Sequence, residues 1–543
     1  MLFRNLRGML VALMVGLSLF LTRHAVADDA GADAAGALRI GWASADITPD
    51  QSVVLTGFSS ARVSTGVLDP ITATALLLES GEEGDAAERV VLVSVDLISI
   101  SDELQDQVRE QVAQQTPEIE PHRIVLNATH THAAPEHRIA PDLAEKFGEL
   151  GIDIPMAWSR WGMDLGVMPP GEYIEFAAGQ IAGAIQQAWQ NRAPGGVSFG
   201  LAHAVIGHNR LTSYDDGSSR MYGATDRADF SHIEGFEDHS LELLYTWDAE
   251  GQLTGVMINA AVPSQVSGGS RITADFWHET RNELRRRLGD DLFLLPQCAA
   301  AGDQSPRVMI NRRAEARMER LSGRSRRQQI ALRIADAVTS ILPTMEAHID
   351  WSPVLAHRME HVPLSRRMLS EADVREPRPT HHRPQNESVE QAFERLLAEY
   401  VKLRQEIEEN PELKEKSGWF NNITGIYWRL GRASRVLDRY ELQQTEPKLP
   451  VEVHVIRLGD MAIVTNPFEL YLDFGMQLTA RSRAVQTFVV QLAGGGLGYL
   501  PTQRSVEGGA YGAIPESTAI GPEGGRELVD QTLALIDSLW EQE

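Results

Sequence analysis

Short apolar runs alternate with longer amphipathic segments along almost the whole chain, and this alternation restricts the fold more than any other feature. Runs rich in Val, Ile and Leu predict strands, whereas apolar residues three and four positions apart predict helices. We therefore expect an α/β (mixed α+β) fold, in which mixed sheets flanked by helices form a single large domain over residues 28–543. The predicted strands are 38–47, 53–58, 72–78, 89–97, 123–128, 197–205, 240–247, 253–259, 292–298, 451–458, 461–464 and 487–493. The predicted helices are 102–115, 172–191, 276–288, 324–342, 470–482 and 525–540.

The segment 386–445 differs in composition from the rest of the chain, because it is dense in Glu, Lys, Arg and Leu. Asn410 and Pro411 stand in its middle, and a proline interrupts a helix. The pattern predicts two helices that form a helical insertion on the surface of the domain.

The composition excludes several classes of protein. Of the 543 residues, 43% are apolar, which is enough for a large core and excludes general disorder. The 50 basic and 75 acidic residues leave a net charge of −25, which would repel nucleic acid, so we expect no nucleic-acid partner. The single cysteine, Cys298, excludes an intramolecular disulfide framework and any multi-cysteine metal site.

The first 27 residues have the layout of a secretory signal peptide. Arg4 and Arg7 precede an apolar run at 9–21, and the small residues Ala-Val-Ala at 25–27 form a cleavage site. We predict cleavage after Ala27 and a secreted or periplasmic protein, with an uncleaved membrane anchor as the alternative. Cleavage removes three arginines and no acid, so the net charge falls from −25 to −28. No later stretch reaches the roughly 18 continuous apolar residues of a membrane helix, so no stable span is expected.

His130 and His132 form the strongest chemical signal in the sequence. They directly follow the predicted strand 123–128. If the strand continues, side chains two residues apart face the same way, so the two imidazoles would converge on one point. Zinc prefers imidazole ligands, and catalytic zinc sites combine three protein ligands with a water. A bare His-x-His pair more often consists of two surface or hydrogen-bonded histidines, so the accompanying motifs decide between the two interpretations.

Further motifs accompany the histidine pair in a defined order along the chain. They are 45–49 with 55–59, 207–210, 299–306, 466–469 and 498–502, the last followed by Tyr511, which stands twelve residues after Tyr499. Taken in this order, the set resembles the neutral/alkaline (non-lysosomal) ceramidase family, zinc-dependent amidases of the secretory route. The resemblance covers most of residues 38–525. Its more specific parts are the His-Thr-His segment, the Gly-Asp-x-Ser-Pro segment at 302–306 and the spacing of the two tyrosines.

The resemblance implies a zinc site. His130 would be one zinc ligand, with Glu469 and Tyr499 as two more. His132 would stand beside the metal as the general acid and base. Considered singly, Glu469 is also compatible with an acid at a helix N-terminus, and Tyr499 with a half-buried core tyrosine.

The resemblance also implies which residues contact the substrate. Tyr511 and Arg210 would polarise or orient the substrate carbonyl, and Gly57 would line the pocket through its backbone. Ser305 matches the serine once favoured in this family as the nucleophile, and a metal mechanism leaves it a pocket-lining role.

The sequence departs from the family at one ligand position. Family members supply a second imidazole from a later strand, where this chain has Pro263. A proline side chain cannot bind a metal, so another group must complete a zinc site. The candidates are His278, then Gln265 or Asp275. The family's C-terminal β-sandwich domain is also not expected here, because Glu543 closely follows the last predicted helix, and this weakens the expectation of membrane ceramide as the substrate.

Together these features predict an exported zinc-dependent amidohydrolase, a hydrolase of linear amide C–N bonds. It would cleave an N-acyl, ceramide-like amide into a carboxylic acid and an amine, and its partner would be a small amphiphilic N-acyl substrate. Two alternatives stay open. One is a catalytically degenerate binding protein that uses the same pocket, and the other is a serine-type ester hydrolase with Ser305 as the nucleophile.

Overall fold

The computed structural model describes residues 38–81, 87–378, 380 and 385–541, and the predicted signal peptide at 1–27 lies outside them. The strands are β1 (Arg39–Asp46), β2 (Thr72–Ser80), β3 (Glu88–Val95), β4 (Ile124–Ala128), β5 (Ala193–His203), β6 (His208–Asn209), β7 (Leu211–Tyr214), β8 (Ser219–Met221), β9 (Phe230–Ile233), β10 (Ser240–Asp248), β11 (Leu253–Ala260), β12 (Phe293–Cys298), β13 (Gln304–Ser305), β14 (Leu355–Ser365), β15 (Lys448–Leu458), β16 (Met461–Thr465), β17 (Glu469–Leu470), β18 (Gln486–Val490) and β19 (Tyr499–Leu500). The helices are α1 (Asp102–Gln115), α2 (Pro141–Glu149), α3 (Pro170–Asn191), α4 (Phe276–Leu288), α5 (Arg312–Ser322), α6 (Arg326–Glu346), α7 (Glu371–Arg375), α8 (Val389–Glu409), α9 (Phe420–Leu442), α10 (Leu472–Arg481), α11 (Gln503–Gly508) and α12 (Pro522–Trp540).

The largest sheet has eight strands in the order β12-β11-β10-β5-β1-β2-β3-β4. Most neighbouring strands are antiparallel, but β4 runs parallel to β3 and β12 runs parallel to β11. The crossover from β3 to β4 contains α1, which is capped by Ser101, whose side chain accepts a hydrogen bond from the Leu104 amide. Because β3 and β4 are parallel neighbours, the loops that follow both strands emerge at the same edge of the sheet.

A second sheet of four strands, β14-β15-β16-β18, packs face to face against the first. The apolar layer between them combines Trp42, Leu76 and Leu92 of the large sheet with Ile456 and Phe488 of the small one, each at most 5% exposed. Burial of a side chain of this size contributes roughly 1.5–3 kcal/mol. This layer therefore holds the two sheets together as a sandwich.

Helices cover the outer faces of the sandwich. The helices α1 and α3 pack on the large sheet, with Tyr173 and Ile181 of α3 fully buried. The helices α4 and α6 cover β10 and β11, and α10 and α12 cover the small sheet. This arrangement confirms the predicted mixed α+β fold with sheets flanked by helices. In the described ranges, none of these helices combines the length and the apolar character needed to cross a bilayer.

The segment 386–445 forms the two predicted helices, α8 and α9, and the break falls at Asn410 and Pro411. Their apolar faces share a core with residues 140–165. In this core the ring of Tyr427 contacts both Tyr400 and Phe147, with ring centroids 5.2 and 5.6 Å apart. The two helices are therefore packed into the domain along one side.

One strand assignment made from the sequence is wrong, and one long strand was missed. The segment 53–58 makes only isolated bridges, because Gly57 turns the chain with a positive φ of 89°. Conversely, β14 is missing from the prediction. Its sequence mixes charged and apolar residues and contains Pro363, a composition that an edge strand tolerates and a central strand does not.

Cys298, at the end of β12, is 2% exposed. Its Sγ donates to the Val262 carbonyl at 3.5 Å and accepts from Gln491 Nε2 at 3.3 Å. Burial raises the pKa of the thiol to about 12. Because the thiolate is the reactive form of cysteine, Cys298 is chemically inert in the folded protein.

Glu242 on β10 makes the stability of the fold dependent on pH. Burial, assisted by the nearby Asp238 carboxylate, raises the pKa of Glu242 from 4.5 to about 8. A carboxyl group with a higher pKa in the folded state binds its proton more tightly there than in the unfolded chain. Its contribution to stability is therefore complete below pH 4.5 and is lost as the pH rises to about 8.

We predict that Glu242→Gln loses less stability than the wild type as the pH rises from 5 to 8. The slopes of unfolding free energy against pH should differ by up to about 1.4 kcal/mol per pH unit. Urea denaturation at successive pH values measures this slope. The exposed Glu360→Gln is the control and should keep the wild-type slope. Identical slopes for Glu242→Gln and the wild type would contradict the prediction.

Candidate functional site

A wide cleft opens where the loops after β3 and β4 emerge from the large sheet. It is lined by Ile98 from the first loop and by His130 and His132 from the second. Residues of α9 and the loops around Tyr499 and Tyr511 line it from other directions. Several separate parts of the chain thus contribute side chains to one cavity.

The chain leaves β4 through a sharp turn at His130, which has a left-handed φ of 63°. Few non-glycine residues adopt a positive φ, and such strain is concentrated at functional sites. His130 is 4% exposed, and its Nδ1 lies 2.7 Å from the Ile98 carbonyl oxygen. A carbonyl oxygen only accepts, so Nδ1 carries the ring proton and donates it, and Nε2 of the neutral ring keeps a free lone pair.

The ring of His132 stands at 83° to that of His130, and the two Nε2 atoms are 3.3 Å apart. The sequence-based reason for this approach, side-chain alternation along a strand, is wrong. The strand β4 ends at Ala128, and the turn at His130 brings the rings together. Behind its ring, His132 packs against Gly57, where a Cβ would lie 2.5 Å from Nδ1 of the imidazole.

Glu469 and Tyr499 are direct partners in the two-residue parallel pairing of β17 with β19. The Oε2 atom of Glu469 is 3.6 Å from His130 Nε2, and Arg210 Nη2 lies 3.7 Å from the same oxygen and 3.4 Å from the Tyr499 hydroxyl. The structure therefore brings His130, His132, Glu469 and Tyr499 to one point, although they lie far apart in the chain.

Arg210 lies behind Glu469 and Tyr499 and is 3% exposed. Its Nη2 is 3.7 Å from Glu469 Oε2, 3.4 Å from the Tyr499 hydroxyl and 2.7 Å from the Gly302 carbonyl, to which it donates. Its Nη1 donates to the Tyr222 hydroxyl at 3.1 Å. These contacts commit the guanidinium to orienting Glu469 and Tyr499 rather than to reaching a substrate carbonyl.

Burial sets the protonation states of the site. It lowers the pKa of His130 and brings that of His132 well below the ordinary histidine value, where the neighbouring His130 and Arg210 act in the same direction. Both imidazoles are therefore neutral at neutral pH, the state in which the ring binds a metal or accepts a proton. Burial and the Glu469 carboxylate raise the pKa of the Tyr499 phenol.

A buried ion pair supports the loop that carries the two histidines. Asp96, which directly follows β3, is fully buried and accepts hydrogen bonds of 2.8 and 3.1 Å from the guanidinium of Arg281 on α4. Asp96 also accepts from the Thr129 hydroxyl at 3.1 Å, and the Ser264 hydroxyl donates to the Thr129 carbonyl at 2.7 Å. Thr129 is thus held at two atoms immediately before the turn at His130.

The segment that carries Pro263 runs beside the histidine loop, since the Ser264 carbonyl accepts a hydrogen bond of 3.2 Å from the His132 amide. Gln265, two residues after Pro263, lines the cleft, and its buried Nε2 has no hydrogen-bond partner. Within the described residues, no imidazole therefore enters the cleft from the stretch that follows Pro263, which lines it with Gln265 and Ser267.

The other two candidate replacements for that imidazole do not reach the cleft. His278, the tentative ligand, lies on α4 with its Nε2 2.9 Å from the Asn282 side chain, outside the residues that line the cleft. The Asp275 carboxylate accepts from the backbone amides of Val266, Ser267 and Phe276 and caps α4. In the part of the chain that the structure describes, no three His, Cys, Asp or Glu side chains form a group suited to a metal ion.

Ser305 and Tyr511 have different surroundings. The Ser305 hydroxyl accepts from the Tyr222 hydroxyl and from the Arg307 amide, both at 3.1 Å. Within the described residues no histidine is hydrogen-bonded to Ser305, and a serine nucleophile needs an adjacent base. Tyr511 lines the cleft, with its ring perpendicular to that of Tyr499 at 5.8 Å.

A group of charged residues at the same cleft carried no prediction from the sequence. Arg138, Arg160 and Arg432 line the cleft, and the buried Glu136 binds Arg138 and lies 3.8 Å from Arg160. Glu136 and Arg138 follow the His-x-His motif so closely that the sequence could have placed their charges near the site. The other two residues gave no signal, because one lies in a loop and the other on α9, which the sequence assigned to a surface insertion.

Solved structures of ceramidases share this fold. The neutral ceramidase from Pseudomonas aeruginosa has a TM-score of 0.61 with this chain at 16% sequence identity, over 93% of this chain and 75% of that chain. A ceramidase complexed with C2 has a TM-score of 0.62 at 15% identity, over 93% of this chain and 76% of that chain. No protein-family model matches the sequence, and neither does any curated protein. At such low identity the likeness establishes the fold.

We predict that Gly57→Ala displaces the His132 ring and costs about 1–3 kcal/mol more stability than Gly66→Ala, because the added methyl group overpacks the site. Gly66 is the matched control, since it also has a positive φ, of 135°, but nothing lies within 4 Å of its Cβ position. Urea denaturation measures the stabilities, and the imidazole NMR signals of His132 report the position of the ring. Equal losses with unchanged imidazole signals would refute this prediction.

Proposed function

We propose that this protein is an exported amidohydrolase that cleaves an N-acyl, ceramide-like amide into a carboxylic acid and an amine. The observation that supports it most is the meeting of His130, His132, Glu469 and Tyr499 in one cleft of a fold shared with ceramidases. Residues 1–27 would direct export and then be removed.

We propose zinc as the cofactor, held by His130, Glu469 and Tyr499. The hydrogen bond to the Ile98 carbonyl leaves His130 Nε2 free to bind, as is usual for metal-binding histidines. The amide oxygen of Gln265 would replace the missing imidazole, because this side chain lines the cleft from the segment that runs beside the histidine loop. When bound, zinc supplies a Lewis acid that polarises the amide carbonyl and lowers the pKa of a water.

The residues of the chain supply the proton transfers. His132 is neutral, so its ring nitrogen accepts the proton of the attacking water. As the C–N bond breaks, the same nitrogen donates that proton to the departing amine. Tyr511 donates a hydrogen bond to the carbonyl oxygen, where negative charge develops, and one such donor is commonly worth about 3 kcal/mol. Arg210 is a positioning residue that holds Glu469 and Tyr499.

We predict that His132→Ala lowers kcat on an N-acyl amide by about 10²–10⁴-fold while the zinc content stays near the wild-type value, because this ring transfers protons without binding the metal. His130→Ala should lose both zinc and activity. His278→Ala, outside the cleft, is the control and should keep both. Elemental analysis of the purified protein and a fatty-acid release assay give the two readings. Loss of zinc in His132→Ala would make that residue a ligand instead.

The two alternative functions give different results in the same assays. A degenerate binding protein would contain no zinc and hydrolyse no N-acyl amide, so about one zinc per chain together with turnover excludes it. A serine-type ester hydrolase would lose its activity in Ser305→Ala. We expect this variant to retain amide hydrolysis, because the Ser305 hydroxyl has no histidine beside it among the described residues.

A further inference from the structure

Positive charge is in excess around the histidine pair, although the whole chain has a net charge of −25. Among the described residues, the charged groups that act most on these two imidazoles are three arginines, Arg62, Arg138 and Arg210, against one carboxylate, Glu469. Two further arginines, Arg160 and Arg432, line the same cleft.

Arg160 is a cation without a carboxylate of its own. Its ion-pair neighbour is Glu136, at 3.8 Å from Nε, and that carboxylate already binds Arg138 through bonds of 2.6 and 2.9 Å. The Nε atom of Arg160 is buried and has no hydrogen-bond partner. Burial and the nearby cations, Arg138 first among them, lower the pKa of Arg160 to about 9.

Arg432 on α9 is the second such cation. Its Nη2 donates to the Ser517 hydroxyl at 2.7 Å, and its guanidinium lies 4.8 Å from the ring centre of Trp428 and 5.9 Å from that of Tyr511. Its Nε is buried and lacks a hydrogen-bond partner. No carboxylate of the described chain forms an ion pair with Arg432, which stands beside the tyrosine proposed to contact the substrate.

Two other basic residues of the cleft, Arg435 and Lys146, have carboxylate partners. Arg435, one turn further along α9, binds the Asp142 carboxylate at 3.0 and 3.3 Å, and Lys146 binds Asp438 at 2.5 Å. Arg439, also on α9, lines the cleft too, but its guanidinium donates to the Thr518 and Pro515 carbonyls instead of a carboxylate. Within the described residues, Arg160, Arg432 and Arg439 therefore lack the hydrogen-bonded carboxylate partners that Arg435 and Lys146 have. An unpaired cation that is largely removed from water is unfavourable, and an anionic ligand would compensate it with short, strong hydrogen bonds.

We propose that the substrate of this site is an N-acyl amide with an acidic group, a carboxylate, sulfonate or phosphate, on its amine part, and that Arg160 and Arg432 bind this group. The acidic group is assigned to the amine part because the acyl chain is a hydrocarbon. This inference rests on the proposed amidase function and narrows its substrate class, since ceramide itself carries no charge.

The first test compares four dodecanoyl amides that share one acyl chain. Three are acidic, the amides of glycine, taurine and phosphoethanolamine, and the amide of ethanolamine is neutral. The wild-type protein should show at least a tenfold higher kcat/KM on one or more of the acidic amides than on the neutral amide. The acid that ranks first identifies the anionic group. A neutral amide that is hydrolysed as well as or better than all three acidic ones overturns the inference and leaves the amidase function intact.

The second test uses variants with a matched control. Arg160→Gln and Arg432→Gln should each raise KM for the preferred acidic amide at least tenfold more than they raise KM for the ethanolamide. Arg435→Gln removes the same charge from the same helix where it is already paired, so it should keep the wild-type preference. Equal effects of all three substitutions, or an equal loss on acidic and neutral amides, would overturn the proposal.

A binding measurement separates this inference from the proposed function. If the wild type hydrolyses none of the four amides, the amidase function fails. Isothermal titration calorimetry with the same compounds then decides the inference by itself. Tighter binding of an acidic amide that is lost in Arg160→Gln supports an anion-binding cleft, and equal affinity for the neutral and acidic compounds rejects it. Thermal unfolding confirms that the variants fold, since removal of an unpaired buried cation should leave Tm unchanged or raise it.

Discussion

The candidate site depends on one conformational constraint, the left-handed backbone of His130 directly after β4. This turn points two imidazoles at each other, with Nε2 atoms 3.3 Å apart, and it directs Nδ1 of His130 to the Ile98 carbonyl. An extended backbone at this residue would separate the rings and leave the buried nitrogen without an acceptor. The surroundings hold the strained turn through Thr129, which is bound by both Asp96 and Ser264.

The two packed sheets position the rest of the site by bringing the ends of several strands together. No single helix or strand forms the pocket. The parallel strands β3 and β4 deliver Ile98 and His130 to the same edge, and the short parallel pairing of β17 with β19 sets Glu469 beside Tyr499. Arg210 then links these two side chains from behind. Groups from several segments act as one site because the apolar layer between the sheets fixes their relative positions.

Sequence patterns predicted most of the fold because its strands and helices are long enough to show a clear period, as α4 does over Phe276–Leu288. They failed at Gly57, where a turn interrupts an apolar run, and at β14, whose charged residues are half exposed on an edge strand. The resemblance of separate motifs to a known family indicated His130, Glu469 and Tyr499, which the structure brings together. It could not predict that Arg210 is enclosed or that Arg432 faces the cleft, since both depend on tertiary packing.

The burial of Cys298 has a practical consequence. Its sulfur lies between the segments of Val262 and Gln491, next to the loops that carry the site, and it is the chain's single thiol. A thiol with a pKa near 12 reacts with labelling reagents only when the structure opens locally or unfolds. Cys298 is therefore a stoichiometric probe, and its rate of alkylation reports how often the packed sheets open locally beside the cleft.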